Sequence, residues 1–106
     1  MAEIATDKKA SDVLLLEIGR LTSIADYFVI CSGGSERQIK AVTDEIEEKL
    51  KGEDGLSPVH VEGTPSSGWV LLDYGDVIVH VFATAEREFY RLERIWSDAP
   101  VVLHIL

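Results

Sequence analysis

The sequence predicts one α/β domain, a mixed β-sheet packed by helices, and three observations carry this reading. Trp69 to Phe82 consists of two β-branched and aromatic runs about a tight Tyr74-Gly75 turn, which is a β-hairpin signal. Two earlier apolar runs, Val13 to Ile18 and Tyr27 to Cys31, are joined by a short Gly19 to Asp26 connection, and an amphipathic helix follows the second. Such a crossing helix places the strand after Cys31 beside a parallel neighbour. At 106 residues, with 46% apolar side chains, the chain is one domain that can bury roughly two-thirds of its unfolded surface.

Each element has a local reason. Residues 3 to 9 read as the end of a helix, with Lys8 and Lys9 suited to its last turn. Val13 to Ile18 is apolar apart from Glu17, as a buried strand requires, and Gly19 ends it. Leu21 to Ala25 is a short turn or one helical turn, and Tyr27 to Cys31 is the second buried strand. Ser32-Gly33-Gly34 leads into a helix for which Ser35 is the N-cap, with Gln38 at the capping-box position. Ile39, Val42, Ile46 and Leu50 form its apolar stripe, and Gly52 and Gly55 end it. Pro58 opens a short strand through Val59 and Val61, and Gly63 to Gly68 is an exposed loop. After the hairpin, Thr84 caps a last helix with Phe89, Leu92 and Trp96 on one side, Tyr90 at its edge, and Arg87, Arg91 and Arg94 as a basic stripe. Pro100 ends that helix, and residues 99–106 hold a final strand or tail.

The hairpin divides into two faces by side-chain alternation. With a loop of two or four residues, Leu72 is expected to pair with Val77 and Leu71 with Ile78. One face is then Val70, Leu72, Val77, Val79 and Val81, a purely aliphatic set that reads as core. The other is Trp69, Leu71, Asp73, Asp76, Ile78, His80 and Phe82, which can pack and also meet a polar partner. A three-residue loop would place Asp76 among the aliphatic residues and is disfavoured.

Composition limits the function classes. Nineteen acidic residues stand against ten basic, a formal net charge of −9. Nucleic-acid binding depends on neutralising phosphates, so no direct nucleic-acid specificity is expected. Long-range attraction favours a basic protein, although the same charge also serves solubility. No apolar run approaches the roughly 20 residues that span a bilayer, and Met1-Ala2-Glu3-Ile4 does not begin a signal peptide. A single cysteine, Cys31, lies in an apolar run, which excludes an internal disulfide, fits a reducing compartment and reads as a buried thiol.

Catalytic signals are weak. Ser32-Gly33-Gly34-Ser35 at a helix start offers amides to a phosphate, yet it matches neither common phosphate-loop spacing and has no lysine. A turn with a capped helix explains it better. Asp73 and Asp76 bracket a turn and can ligate a divalent metal, as a metal-dependent nucleotidyltransferase-like enzyme would require; turn formation explains both aspartates equally well. His60, His80 and His104 have no metal-ligand spacing, and no Ser/His/Asp set appears. The expectation is a non-enzyme with no cofactor and no metal.

Five blocks together resemble the ribosomal silencing factor family (RsfS, also Iojap). They are Asp26-Tyr27-Phe28-Val29-Ile30, Gly33-Gly34-Ser35-Glu36-Arg37-Gln38, Val61-Glu62-Gly63, the whole of Trp69 to Phe82, and Arg87 to Trp96. The match is ordered and covers about residues 7 to 98, with the hairpin as its most specific part. The family has a fuller first helix, so residues 1–9 are read as a partial one, and Gly34 stands where the family often has Thr. The resemblance implies a single silencing-factor domain over residues 1–106, with a nucleotidyltransferase-like fold that lacks that activity. It implies a cytoplasmic factor that binds ribosomal protein fourteen of the large subunit, blocks joining of the small subunit and represses translation when nutrients are scarce. It also implies a homodimer when free. The partner-binding residues expected on this basis are Trp69, Leu71, Asp73, Tyr74, Asp76, Ile78, His80 and Tyr90. Trp69 is the first choice as an apolar anchor, with core burial against the last helix as the competing role.

Overall fold

The computed structural model describes residues 10–105, so the helix expected over residues 3 to 9 lies outside the described residues. Six strands form one sheet: β1 (Ser11–Glu17), β2 (Tyr27–Gly33), β3 (His60–Thr64), β4 (Trp69–Asp73), β5 (Val77–Ala83) and β6 (Val101–Ile105). Their order is β3-β4-β5-β2-β1-β6. β2 and β5 are parallel and every other neighbouring pair is antiparallel. The mixed sheet, the short β1–β2 connection and the parallel partner after the crossing helix all agree with expectation. The last segment is a strand, β6, paired with β1 at the sheet edge.

The crossing helix, α1 (Glu36–Asp54), starts at Ser35, whose side chain accepts from the Gln38 amide at 3.1 Å. Gln38 Oε1 in turn accepts from the amide of Gly34 at 2.7 Å, one residue before the N-cap. The helix runs through Gly52 and stops before Gly55, whose amide donates to Lys51 O at 3.2 Å. Of the two glycines expected to end it, Gly55 does so and Gly52 lies in the last turn. A lone exposed glycine costs only about 1 kcal/mol inside a helix, and the stripe of Ile39, Val42, Ile46 and Leu50 is buried as expected. Together with Val29, Cys31, Val70, Leu72, Val79 and Val81, this stripe forms the core between α1 and one sheet face.

The opposite face carries a second core of Leu14, Leu16, Ile18, Phe28, Ile30, Ile78 and Phe82. Leu92, Trp96 and Ala99 close over it. The expected last helix is broken into α2 (Thr84–Tyr90) and α3 (Leu92–Ile95), because Arg91 adopts a left-handed φ of 47°. Three expectations change in this segment. Phe89 is 81% exposed instead of packed beside Leu92 and Trp96. Arg87 is buried instead of standing in a solvent stripe. Ala83 is the N-cap residue, Thr84 is the first helical residue, and no side chain caps the helix.

Arg87 bridges the break. Its guanidinium donates to the carbonyl of Asp12 and, at 3.0 Å, to Ser32 Oγ. It also lies 3.4 Å from carboxylate oxygens of both Asp12 and Glu93. Asp12 sits at a bulge in β1 with φ 50°, and its other oxygen is 2.6 Å from His104 Nε2 on β6. One buried cation therefore ties β1, β2, α2 and α3 together, and Asp12 links that group to the edge strand.

Candidate functional site

The hairpin keeps its expected faces with a different register. Leu72 pairs with Val79 and Leu71 with His80, each two residues beyond the expected partner. The cause is the turn, which falls on Gly75-Asp76 between Tyr74 and Val77; the Tyr74 amide donates to Val77 O at 2.9 Å. Gly75 has φ 87°, where a residue with a Cβ is strained, and its amide donates to Asp73 Oδ1 at 2.8 Å. A shift of two preserves parity, so the aliphatic set still faces α1 and the aromatic set still faces α2 and α3. The carbonyl of Asp76 accepts from the amides of both Asp26 and Tyr27, fixing the hairpin tip beside the start of β2.

Trp69 lies at the centre of the aromatic face and is half-buried. Its ring stacks on Phe82 with centroids 4.8 Å apart and meets Tyr90 of α2 at the same distance, tilted by 48°. Its indole Nε1–H donates to His80 Nδ1 at 3.2 Å. The core and surface roles weighed for Trp69 are thus combined, since one side of the ring packs on Phe82 while the ring also borders an open groove. That groove, of about 260 Å³, is lined by Glu62, Gly63, Ser67, Trp69, Leu71 and Tyr90.

Strand β3, longer at its C-terminal end than expected, forms one side of the groove. Gly63 and Thr64 belong to the strand, and only Pro65–Ser67 forms a turn, a 3₁₀ segment; Pro58 and Val59 precede the strand. Gly63 pairs with Val70 at φ 81°, and a Cβ there would collide with the carbonyl oxygen of Trp69. Glu62 pairs with Leu71, so its carboxylate stands on the Trp69 face. His60 Nε2–H donates to Glu62 Oε1 at 2.9 Å.

The expected site residues separate into three groups. Trp69, Leu71 and Tyr90 come together at the groove. Asp73, Tyr74 and Asp76 lie at or beside the hairpin tip, but Tyr74 packs toward the α1 core. Burial, with Glu47 nearby, pushes its phenol pKa above the ordinary value. Ile78 and His80 are 7% and 4% exposed, so they back the face from inside instead of standing on it. Desolvation lowers the His80 pKa to about 4, which keeps the imidazole neutral. Glu62, Gly63 and Ser67 are not among the expected site residues: parity across β3 cannot be assigned until its pairing with β4 is known, and Ser67 lies in the 3₁₀ segment that joins the two strands.

Both chemical alternatives raised by the sequence meet a structural use of the same residues. At the α1 start, the Gly34 amide is taken by Gln38 and the Gln38 amide by Ser35, as a capped helix requires. Asp73 holds the turn through Oδ1. Cys31 is buried between the sheet and α1, and desolvation pushes its thiol up to about 12, which makes it inert as a nucleophile. No helix among the described residues is long and apolar enough to cross a membrane.

The sequence model of a family described as ribosomal silencing factor during starvation matches residues 1–105. The chain belongs to that family. The ribosomal silencing factor RsfS of Bacillus subtilis (strain 168) is 43% identical over 100 residues, covering 94% of this chain and 84% of its own. The crystal structure of a Chromobacterium violaceum protein matches with a TM-score of 0.84 at 40% identity, over 90% of this chain and 78% of that one. A Mus musculus protein named mitochondrial assembly of ribosomal large subunit protein 1 is 27% identical over 99 residues, covering 92% of this chain and 43% of its own. The RsfS family and the mixed-sheet fold expected from the residues are both established by these matches.

Proposed function

We propose that this RsfS-family protein binds the large ribosomal subunit through ribosomal protein fourteen and occupies the surface on which the small subunit docks. Joining is then blocked sterically, and translation falls when nutrients are limiting. The observation that carries this reading is the chain-long family match, which includes the groove face of Trp69, Leu71 and Tyr90. The mouse relative's name, which refers to assembly of the ribosomal large subunit, supports that subunit as the target. In this reading Trp69, Leu71 and Tyr90 contact the partner, Asp73 and Asp76 receive its cations with Tyr74 beside them, and Ile78 and His80 hold the face in shape.

The mechanism is occupancy without catalysis. Two bodies cannot fill one surface, so a small domain at the joining interface excludes a far larger one. The family's description as silencing factors and the structural use of Asp73 and Gln38 support a non-enzymatic role. The cytoplasm is the proposed site of action; the free thiol Cys31 suits its reducing conditions. A homodimer of the free protein completes the reading, and exposed Phe89 and Ile95 supply apolar surface for it. Cosedimentation of the purified protein with isolated large and small subunits tests the assignment. Recovery with the large subunit alone is expected, and recovery with neither overturns it.

A further inference from the structure

The groove beside Trp69 has the composition of a receptor for one cationic side chain. The rings of Trp69 and Tyr90, in contact with centroids 4.8 Å apart, form one aromatic wall, and the remaining lining is Leu71, Gly63, Ser67 and the carboxylate-bearing Glu62. Among the described residues no lysine or arginine lines it. Aromatic faces attract a cation through their quadrupole, and a carboxylate at the same opening adds a charge-assisted hydrogen bond. The apolar walls cover the stem of a long side chain while its charged end reaches Glu62. A guanidinium suits this arrangement better than an ammonium, since it is planar, stacks on rings and forks onto carboxylates. The chain's net charge of −9 draws a basic surface toward the groove.

We propose that the Glu62–Trp69–Tyr90 groove is a specificity slot that takes an arginine side chain from the basic protein partner. This rests on the reading of the chain as a ribosome-binding factor and names the chemistry recognised there. Gly63 is essential to the slot, because its bare backbone lets β3 approach Trp69. His60 steers the Glu62 carboxylate through its 2.9 Å hydrogen bond. Asp73 and Asp76, at the hairpin tip, then serve long-range attraction, and the slot serves recognition.

The test measures binding of the full chain to isolated large subunits for the wild type, Glu62→Gln, Glu62→Lys, Tyr90→Leu and Glu53→Gln. Glu53 is an exposed charge on α1, across the sheet from the groove. Glu62→Gln and Tyr90→Leu are expected to weaken binding about tenfold or more, Glu62→Lys further still, and Glu53→Gln not at all. Wild-type affinity in Glu62→Gln overturns the slot and leaves the ribosome assignment standing. If the wild type itself fails to bind subunits, the ribosome assignment fails and the slot is judged separately with N-acetyl-arginine amide. That probe is expected to shift the Trp69 indole N–H resonance in the wild type but not in Glu62→Gln, while N-acetyl-norleucine amide leaves it in place. Equal shifts from both probes, or none from either, overturn the slot.

Discussion

The indole N–H of Trp69 donates to Nδ1 of His80 on the neighbouring strand, at 3.2 Å. Because an indole nitrogen only donates, Nδ1 must be the accepting nitrogen, and the imidazole is neutral with its proton on Nε2. That Nε2 is buried with no hydrogen-bond partner in the described structure, and Phe28 approaches the ring edge-on at 4.7 Å. His80 therefore orients the indole that borders the groove, and protonating it would replace an acceptor with a donor facing a donor.

A stability change with pH follows. The folded His80 pKa is lowered to about 4, against an unfolded value near 6.5. The unfolded chain binds the extra proton, so stability from this group is present above about pH 6.5 and is lost as pH falls toward 4. Between pH 7 and pH 5 the loss is about 2 kcal/mol. Urea unfolding at the two pH values checks it. His80→Phe is expected to remove most of the difference, and an equal pH loss in that variant would assign the effect to other groups.

Truncating Trp69 should affect both folding and binding. Trp69→Ala removes a half-buried ring that stacks on Phe82 and touches Tyr90. The expected stability cost is about 3 kcal/mol, the low end for a tryptophan, with a loss of about 2 kcal/mol or more in partner binding. Trp69→Phe keeps a ring and loses the hydrogen bond, at about 1 kcal/mol of stability. Thermal unfolding and subunit binding on the same preparations separate the effects. A destabilised variant that binds normally when folded would confine Trp69 to the core.

Arg87 is the buried charge on which the helix pair depends. Arg87→Met leaves Asp12 and Glu93 without their buried cation, and the expected cost is roughly 3 to 5 kcal/mol. Arg87→Lys should recover little of it, since one ammonium cannot reproduce a fork spread over Asp12, Ser32 and Glu93. Denaturant unfolding measures both, and near-normal stability in Arg87→Met would remove the network from the account.

The hairpin carboxylates test electrostatic attraction. Asn at positions 73 and 76 removes two charges, while the Oδ1 at 73 still accepts from Gly75. Folding stability should change by less than about 0.5 kcal/mol, and the association rate at low salt should fall severalfold. Stopped-flow association over a salt series checks this. An unchanged rate and salt slope would leave both aspartates with turn formation only.

Much of this was legible from side-chain periodicity. Alternation assigned Val70, Leu72, Val79 and Val81 to one face and Trp69, Leu71, His80 and Phe82 to the other, and an error of two in register left those sets intact. The α1 stripe and Ser35 cap follow from spacing and local hydrogen bonding, which few distant residues can override. What stayed hidden depends on contacts far apart in sequence. Arg87 reads as a surface cation until Asp12, 75 positions away, is placed beside it. The only available signal was Asp12 itself, a carboxylate opening an apolar strand. The left-handed Arg91 has no composition signal, so periodicity alone puts Phe89 inward on an unbroken helix. The groove was equally hidden, because Glu62 and Trp69 meet only after β3 pairs with β4.

Light scattering of mixed ribosomal subunits tests the central claim most directly. Large subunits preincubated with the protein should give a scattering increase that falls as protein is added, approaching none at saturation. Trp69→Ala should require a higher concentration for the same block, while Glu53→Gln should match the wild type. Undiminished subunit joining at saturating wild-type protein, with its presence on the large subunit confirmed in the same sample, would contradict the account.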